Sequence, residues 1–270
     1  SVGISCESAI KCTQHIEVGF QIGASPVKVL HLFSNAKWTG PAEPALNLCV
    51  ALRRLGVQAD FACSPWAGSG LNKVVETARD RGIKPILHFR LSRHYNPWSN
   101  LLDCWALDRY LRVERYEILH CHLDNDHRIA LWPARKQGLP LVRSSYYGTG
   151  FPKKRVAGRL LPGTTHLIQP SQRALDHDAL TFGYSRSRMS VIPNAVDTER
   201  FDPARQVPDG RRWLRIPAES FVVGIVARVQ AHRRFEDLFA AMRQLVEAGR
   251  DVHLVVVGRG TKQDQLAKSP

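Results

Sequence analysis

Apolar runs of strand length alternate with helical segments along most of the chain, and this alternation limits the possible fold more than any other feature. The first run, 27–33, is followed by a segment, 45–55, whose apolar residues recur at helical spacing. Similar pairs recur up to residue 182. Because parallel strands need a crossover connection that is usually helical, the pattern predicts an α/β fold with a mostly parallel, doubly wound sheet.

The strands expected in this first, Rossmann-type domain are 27–33, 57–63, 83–89, 118–122, 139–145 and 166–169. The third is only a candidate, because it contains Pro85, which cannot donate a hydrogen bond to a sheet ladder. The domain as a whole is expected to cover residues 27–201. Residues 1–26 show no clear period and lack the parts of a signal peptide, so we expect a disordered N-terminal extension there.

The character of the sequence changes after residue 201. A polar, proline-bearing stretch, 202–218, predicts a domain linker. A new strand–helix–strand unit follows and ends in the turn Gly258-Arg-Gly260. One such unit cannot bury both faces of its sheet, so residues 219–270 predict the start of a second Rossmann-like domain that is incomplete within this chain.

The chain is strongly basic, with 38 Lys and Arg against 24 Asp and Glu and a formal net charge of +14. Such a balance favours anionic partners, which include nucleic acid, acidic lipid surfaces and phosphorylated ligands, but it does not choose among them. A soluble protein that is basic throughout is an equally good interpretation. No run approaches the ~18 apolar residues that a membrane-spanning helix needs.

Cysteine and histidine residues give little sign of a metal site. The six cysteines form no C-x-x-C pair and are interpreted as reduced thiols of a cytosolic protein. In the triplet His120-Cys121-His122, a strand would place the two imidazoles on one face and the thiol on the other. With no second ligand cluster at metal spacing, we expect no metal to bind.

Four segments, in a characteristic order, resemble one known family. Val191-Ile-Pro-Asn-Ala-Val-Asp-Thr-Glu-Arg-Phe201 resembles the interdomain signature of GT-B glycosyltransferases of the large retaining family 4. Weaker matches occur in the glycine-bearing first loop, Trp38–Glu43, in the strand and basic loop Gly224–Arg233, and in the strand and turn Leu254–Gly260.

The resemblance implies a GT-B-like fold and an activity. The implied enzyme is a hexosyltransferase that moves a sugar, with retention, from a nucleotide-sugar donor to a glycan or lipid-linked acceptor. No metal or other cofactor is implied, and no nucleic-acid partner. The implied location is cytoplasmic. Aromatic and basic residues mix in 146–155, so contact with the anionic inner face of the membrane stays open.

The basic loop carries the strongest site candidates. In the resembled family an Arg at this strand end and a Lys five residues later grip the donor diphosphate, and Arg228 and Arg233 stand at these positions. A guanidinium fork suits phosphate oxygens, so Arg can replace Lys there. The alternative is a solvated basic surface. Arg234 stands where the family usually has glycine, so the loop can differ.

Gly40 in the first loop is the third candidate for the donor diphosphate, because a glycine lets the backbone approach a ligand closely. Tyr146 stands where the family often has a histidine near the transferred sugar, which puts sugar specificity in doubt. His122 leaves the preceding strand toward the same crevice, although a buried, satisfied histidine is the competing interpretation.

Asn194 and Asp197 of the signature, and Gly258 of the final turn, complete the candidate substrate-binding residues. Asn194 and Asp197 can equally serve only to shape a loop. The family's paired glutamates, E-x7-E, do not occur in the chain, so no catalytic residue is assigned and a truncated enzyme is expected. A non-catalytic remnant that binds acceptor or nucleotide is the first alternative, and a basic nucleic-acid-binding module is the second.

Overall fold

The computed structural model describes residues 26–258 and 260 apart from 67, 69, 153–154, 200, 206–207 and 231–232. The chain forms two compact units, with the division between Val196 and Asp197. Apart from its last residue, the extension expected over 1–26 lies outside the described residues. The domain bounds 27–201, 202–218 and 219–270 stay predictions.

The first unit alternates strands and helices as the sequence pattern indicates. Its strands are β1 (Lys28–Phe33), β2 (Gln58–Cys63), β3 (Ile118–Cys121), β4 (Leu141–Ser144), β5 (His166–Gln169) and β6 (Met189–Val191). Its α-helices are α1 (Ala42–Arg54), α2 (Lys73–Asp80), α3 (Pro97–Glu114), α4 (Asp124–Gln137), α5 (Arg155–Leu160) and α6 (Gln172–Phe182). Short 3₁₀ turns occupy Leu161–Gly163 and Arg186–Arg188.

The strands of the first unit pair in parallel in the order β2-β1-β3-β4-β5-β6. The chain therefore places β2 on one side of β1, then returns to place β3 on the other side, and β4, β5 and β6 follow beyond β3. This point of reversal, between β1 and β3, is where open α/β sheets bind their ligands. The predicted α/β, doubly wound fold class is confirmed.

Apolar side chains cover both faces of this sheet. Leu30 and Leu32 of β1 pack with residues of α3 and α4, including Leu107 and Ile129. On the other face, Phe33, which points opposite to Leu32, joins a cluster of α1, β2 and α2 residues. Strands buried on both faces are typical of parallel sheets whose crossovers are helices.

Two short segments differ from the sequence-based expectation. The candidate third strand, 83–89, is reduced to one parallel bridge between Ala62 and Ile86, because Pro85 has no N–H to extend the ladder. β6 was not predicted, since three residues are too few to show a period. Its neighbour Ile192 still donates its N–H to the carbonyl oxygen of Gln169 in β5.

The second unit contains β7 (Phe221–Val226), α8 (Phe235–Glu247) and β8 (Val252–Val257), with the two strands paired in parallel. A short helix, α7 (Gly210–Leu214), lies within the predicted linker. Several apolar side chains of β7 and β8 remain exposed, as expected for a single strand–helix–strand unit. Within the described residues, none of the helices has the length and apolar character to span a bilayer.

Candidate functional site

Hydrogen bonds link the segments that follow β1 and β3, at the point where the strand order of the sheet reverses. The carboxylate of Asp126, in the first turn of α4, accepts the backbone N–H groups of Ser34 and Leu123, both at 2.9 Å. The Ser34 hydroxyl accepts the N–H of Asp126 at 3.1 Å. These bonds satisfy N–H groups at a helix start and fix the floor of the crevice where a ligand is expected.

Three buried histidines lie side by side at this edge of the sheet. Nδ1 of His31 lies 3.0 Å from Nε2 of His122, and Nε2 of His120 lies 2.8 Å from the Ser144 hydroxyl. Burial lowers the pKa of His31 to about 3 and holds the pKa values of His120 and His122 well below the usual value. All three imidazoles are therefore neutral at pH 7.

His31 is the residue of this cluster that the sequence analysis missed. One nitrogen from each of the three rings lies within 4.8 Å of the others, an arrangement that can hold a metal ion. In the state described here, one nitrogen of His31 is instead engaged with His122, and Nε2 of His31 is buried without a hydrogen-bond partner. Only the pairing of β1 with β3, which aligns His31 with His120, brings the third imidazole to the others.

The predicted residues His122 and Tyr146 are neighbours, with the phenolic oxygen of Tyr146 2.7 Å from Nδ1 of His122. Burial raises the pKa of Tyr146, so the phenol stays protonated at neutral pH. His122 uses one ring nitrogen toward Tyr146 and the other toward Nδ1 of His31, and its tautomer sets which nitrogen donates. The Tyr146 oxygen is left with acceptor capacity for a hydroxyl of a bound ligand.

Arg143, in the middle of β4, is a second residue that the sequence analysis missed. Its side chain is buried, and Nη2 donates to the Asp124 carboxylate at 2.9 Å. The guanidinium lies 5.6 Å from the centre of the Phe151 ring, while Nε and Nη1 are buried without partners. The signal that the sequence offered for this residue was a single Arg within the apolar sequence of a predicted strand.

We expect Asp124→Ala to lower the free energy of unfolding by about 1–2 kcal/mol, because it removes the carboxylate partner of the buried Arg143, and water screens the pair at the 56% exposed Asp124 side chain. Arg143→Met in the Asp124→Ala background should recover most of this loss, since methionine removes the charge and keeps much of the volume. Urea unfolding of both single variants and the double variant measures the coupling. Additive effects of the two substitutions would contradict this account of the pair.

The basic loop of the second unit is held by the turn after β8. A Cβ on Gly258 would overlap the carbonyl oxygen of Ala227, and one on Gly260 would overlap that of Val229. Gly258 also has a φ of +155°, which side-chain-bearing residues rarely adopt. The requirement for glycine is therefore steric, and it fixes the backbone on both sides of Arg228.

Arg228 and Arg233 project from this loop with exposed side chains. In the described part of the chain, neither guanidinium has a carboxylate partner, which leaves both positive charges available to a ligand. Arg234 differs, since it pairs with Asp237 in the first turn of α8. Its φ of +53° lies in the left-handed region, which explains why the resembled family favours glycine at this position.

The remaining predicted residues are exposed. A Cβ on Gly40 would meet nothing within 4 Å, so the protein alone does not require glycine there, and a ligand role for Gly40 stays a prediction. Asn194 is exposed and lies outside the helices and strands. The Asp197 carboxylate accepts the N–H of Glu199 at 3.1 Å, which is the loop-shaping role of an aspartate in a turn. Ligand roles for Asn194 and Asp197 also stay predictions.

Comparison with known proteins gives consistent matches. Residues 39–200 match the model of Glycosyltransferase Family 4. An Escherichia coli UDP-Gal:alpha-D-GlcNAc-diphosphoundecaprenol alpha-1,3-galactosyltransferase is 27% identical over 200 residues, which are 69% of this chain and 52% of that protein. A D-inositol 3-phosphate glycosyltransferase of Catenulispora acidiphila is 25% identical over 171 residues, 57% of this chain and 41% of that protein.

Solved structures share the fold. A glycosyltransferase from Rickettsia africae superposes with a TM-score of 0.73 at 16% identity, covering 90% of this chain and 63% of that one. Anabaena HepE, crystallised with UDP and glucose, gives a TM-score of 0.68 at 17% identity, with 90% and 64% covered. The chain spans about half the length of the curated relatives it matches. Because the family model covers more than half of the sequence, the chain belongs to Glycosyltransferase Family 4.

Proposed function

We propose that the protein is a hexosyltransferase that moves a sugar from a nucleotide-sugar donor to a glycan or lipid-linked acceptor, with retention at the anomeric carbon. Two relatives support the choice of substrates. The E. coli relative carries the name of an enzyme for a diphosphoundecaprenol-linked acceptor, and HepE was crystallised with UDP and glucose. Retention follows from the family resemblance alone, and comparing the anomeric NMR coupling of donor and product tests it.

The observation that carries this proposal is a pair of guanidinium groups, without a carboxylate partner among the described residues, on a loop that glycine contacts hold in place. A nucleoside diphosphate gains negative charge as the sugar departs, and fixed cations stabilise that charge without having to reorganise. Arg228 and Arg233 supply two such cations between a parallel strand, β7, and the helix that follows it, at the edge where α/β sheets bind nucleotides. Contacts of Gly258 and Gly260 with this loop support its pre-organisation.

The first unit supplies groups that suit the sugar side of the reaction. Tyr146 and His122 form a neutral hydrogen-bonded pair at the point of reversal of the sheet. Such a pair orients a sugar hydroxyl but does not act as a base at neutral pH, because burial disfavours protonation of the imidazole and ionisation of the phenol. We therefore assign this pair to positioning and leave the catalytic residue unassigned.

Binding of UDP and GDP to the 270-residue chain, measured by calorimetry at low and moderate salt, tests the donor site. We expect the Arg228→Ala, Arg233→Ala double variant to bind at least ~30-fold more weakly, because two charge-assisted phosphate contacts are lost. Arg234→Gly is the matched control, since it removes a neighbouring charge that is already paired with Asp237 and keeps the left-handed backbone.

The possible outcomes separate the alternatives. Equal losses in the double variant and in the control would mean that general positive charge, not a built site, attracts the nucleotide. Absence of nucleotide binding by a folded wild-type chain would favour a remnant that binds acceptor only. A steep salt dependence of binding to single-stranded RNA, with no binding of UDP, would favour a nucleic-acid module.

A cytoplasmic location, with peripheral contact to the inner face of the membrane, is part of the proposal. It is supported by the lipid-linked acceptor named for the E. coli relative and by the mixed aromatic and basic residues of 146–155. Cell fractionation at increasing salt is the test. Release from membranes by salt is expected, whereas recovery in a secreted fraction would overturn this assignment.

A further inference from the structure

A large cleft opens in the first unit beside the point of reversal of the sheet. It has a volume of about 820 Å³ and lies at the carboxyl ends of β1 and β2, opposite the loop that precedes α3. Side chains and backbone of the two strand ends line one side, and those of the loop, 90–96, line the other. Neither the donor-site residues nor the His122–Tyr146 pair belongs to this cleft.

The charged side chains described along this cleft are all basic. Lys37, Arg90 and Arg93 line it together with His94, and no Asp or Glu is among its described lining residues. Lys37 and Arg93 are exposed and have no ion-pair partner within the described part of the chain. These two cations, together with Arg90, whose charge is partly offset by the Asp103 carboxylate, focus a positive potential on one concave surface and attract an anion.

Hydrogen bonds to buried side chains hold the loop that carries Arg90 and Arg93. The Asp103 carboxylate in α3 accepts the backbone N–H groups of Arg90 at 2.8 Å and Leu91 at 2.9 Å. Leu91 has a φ of +41°, an unfavourable conformation for a residue with a side chain. The Asn125 side chain also donates to the carbonyl oxygen of Ser92 at 2.7 Å. A strained backbone that is held this firmly indicates a pre-organised binding loop.

The floor of the cleft offers unused hydrogen-bonding capacity. Asn35 is 95% buried, and its carboxamide oxygen accepts the N–H of Lys37 at 3.0 Å. Its carboxamide nitrogen donates to no group within the described residues. The N-terminus of α3 also reaches the cleft at Asn96 and Ser99, adding the positive end of an eighteen-residue helix.

Aromatic side chains stand at the rim. Trp66 is 79% exposed, and Tyr95 is 60% exposed with the Arg128 guanidinium 5.0 Å from its ring centre. Exposed aromatic rings in a polar cleft provide flat apolar surfaces on which the C–H faces of a sugar ring can pack. The same cleft therefore contains cations that can bind an anion and aromatic rings that can pack on a sugar.

We propose that this cleft binds the acceptor and that the acceptor carries a phosphate or diphosphate next to its sugar ring. This inference rests on the proposed function. Lys37, Arg90 and Arg93 hold the phosphate oxygens, Asn35 donates to the same group or to a sugar hydroxyl, and Trp66 and Tyr95 pack on the ring. A soluble sugar phosphate and a lipid diphosphate sugar share this chemistry.

The test uses the 270-residue chain and calorimetry with octyl N-acetylglucosaminyl diphosphate, N-acetylglucosamine 1-phosphate and the neutral octyl N-acetylglucosaminide. We expect the diphosphate to bind at least ~10-fold more tightly than the neutral glycoside. Lys37→Glu with Arg93→Glu should reduce that advantage by ~10- to 100-fold, while Lys84→Glu with Arg173→Glu, the same charge change outside the cleft, should preserve it. The Arg93→Gln variant removes only one of these charges and should weaken binding of the diphosphate in the same direction. Circular dichroism checks that the variant is folded.

Equal affinities for the charged and neutral glycosides would overturn the inference, and so would equal losses in the cleft and control variants. Comparable binding of the monophosphate indicates a soluble sugar phosphate, whereas a requirement for the alkyl diphosphate indicates a lipid-linked acceptor. UDP binding in the same samples separates the two proposals. If UDP still binds in an Arg228-dependent manner while the diphosphate glycoside does not bind, only the acceptor inference fails.

Discussion

Acidification from pH 7 to pH 5 is expected to destabilise the first unit. Burial lowers the pKa values of His31 and His127 to about 3 and holds those of His120 and His122 well below 6.5. In the unfolded chain these four imidazoles bind protons below about pH 6.5, whereas in the folded chain they do not. The stabilisation that these four neutral imidazoles give to the folded state is therefore fully present above pH 6.5 and is lost as the pH falls toward 3.

Buried carboxyl groups partly oppose this loss. Burial raises the pKa of Asp126 to about 7 and also raises the pKa of Asp103, so both take up protons more readily when folded. The four imidazoles outnumber the two carboxyl groups, so unfolding takes up protons on balance in this pH range. The free energy of unfolding should thus fall as the pH is lowered from 6.5 to 5, by about 1.4 kcal/mol per pH unit for each net proton taken up.

Urea unfolding at pH 7.5, 6.5 and 5.5, followed by circular dichroism, measures this slope. His127→Gln is an informative variant, because Nε2 of His127 lies 2.8 Å from the Thr164 hydroxyl, and a glutamine amide can donate to the same oxygen. It should flatten the slope by about one proton while the fold is kept. A stability that does not change over this range would show that the buried imidazoles do not govern acid unfolding.

Gly258→Ala is expected to abolish UDP binding while the first unit stays folded. The new methyl group would overlap the Ala227 carbonyl oxygen, and the φ of +155° would add backbone strain. Together these effects should cost roughly 3 kcal/mol or more, which corresponds to at least a ~100-fold loss of affinity if the loop moves to relieve the overlap. Arg228 would then no longer hold its position beside the nucleotide.

Gly224→Ala is the matched control for this substitution. Gly224 lies in β7, three residues before the same loop, and a Cβ there would meet nothing within 4 Å. Calorimetry with UDP should therefore show near wild-type affinity for Gly224→Ala and none for Gly258→Ala. Wild-type affinity in Gly258→Ala would mean that the turn after β8 does not position the donor loop.

Local patterns were enough to predict the fold class and the family. Strand-length apolar runs and helical spacing reflect which side chains must be buried, and this periodicity survives in the sequence of each element. The signature near Val191 gave the family, and the resemblance of Gly224–Arg233 to that family's basic loop drew attention to Arg228 and Arg233, whose role toward the donor stays a prediction. These predictions needed only contacts between residues that are close in sequence, or backbone requirements that one glycine can reveal.

Boundaries and irregular segments were predicted less well. The apolar period of the sequence indicates a helix only over 129–137, whereas α4 begins at Asp124, because its first turn is polar and carries no apolar period. The Asp126 carboxylate caps that turn and bonds to Ser34, which is 92 residues distant in sequence. A helix start that depends on such a distant partner cannot be inferred from local propensity.

The cluster of histidines, the buried Arg143 and the cationic cleft were decided by tertiary structure. His31 and His122 are 91 residues apart in sequence and meet only because β1 pairs with β3. The strained loop at Leu91 depends on the Asp103 carboxylate of another element. Sequence periodicity records which residues must leave water, whereas the partners of a buried charge or imidazole are set by strand order and helix packing, which a single sequence does not display.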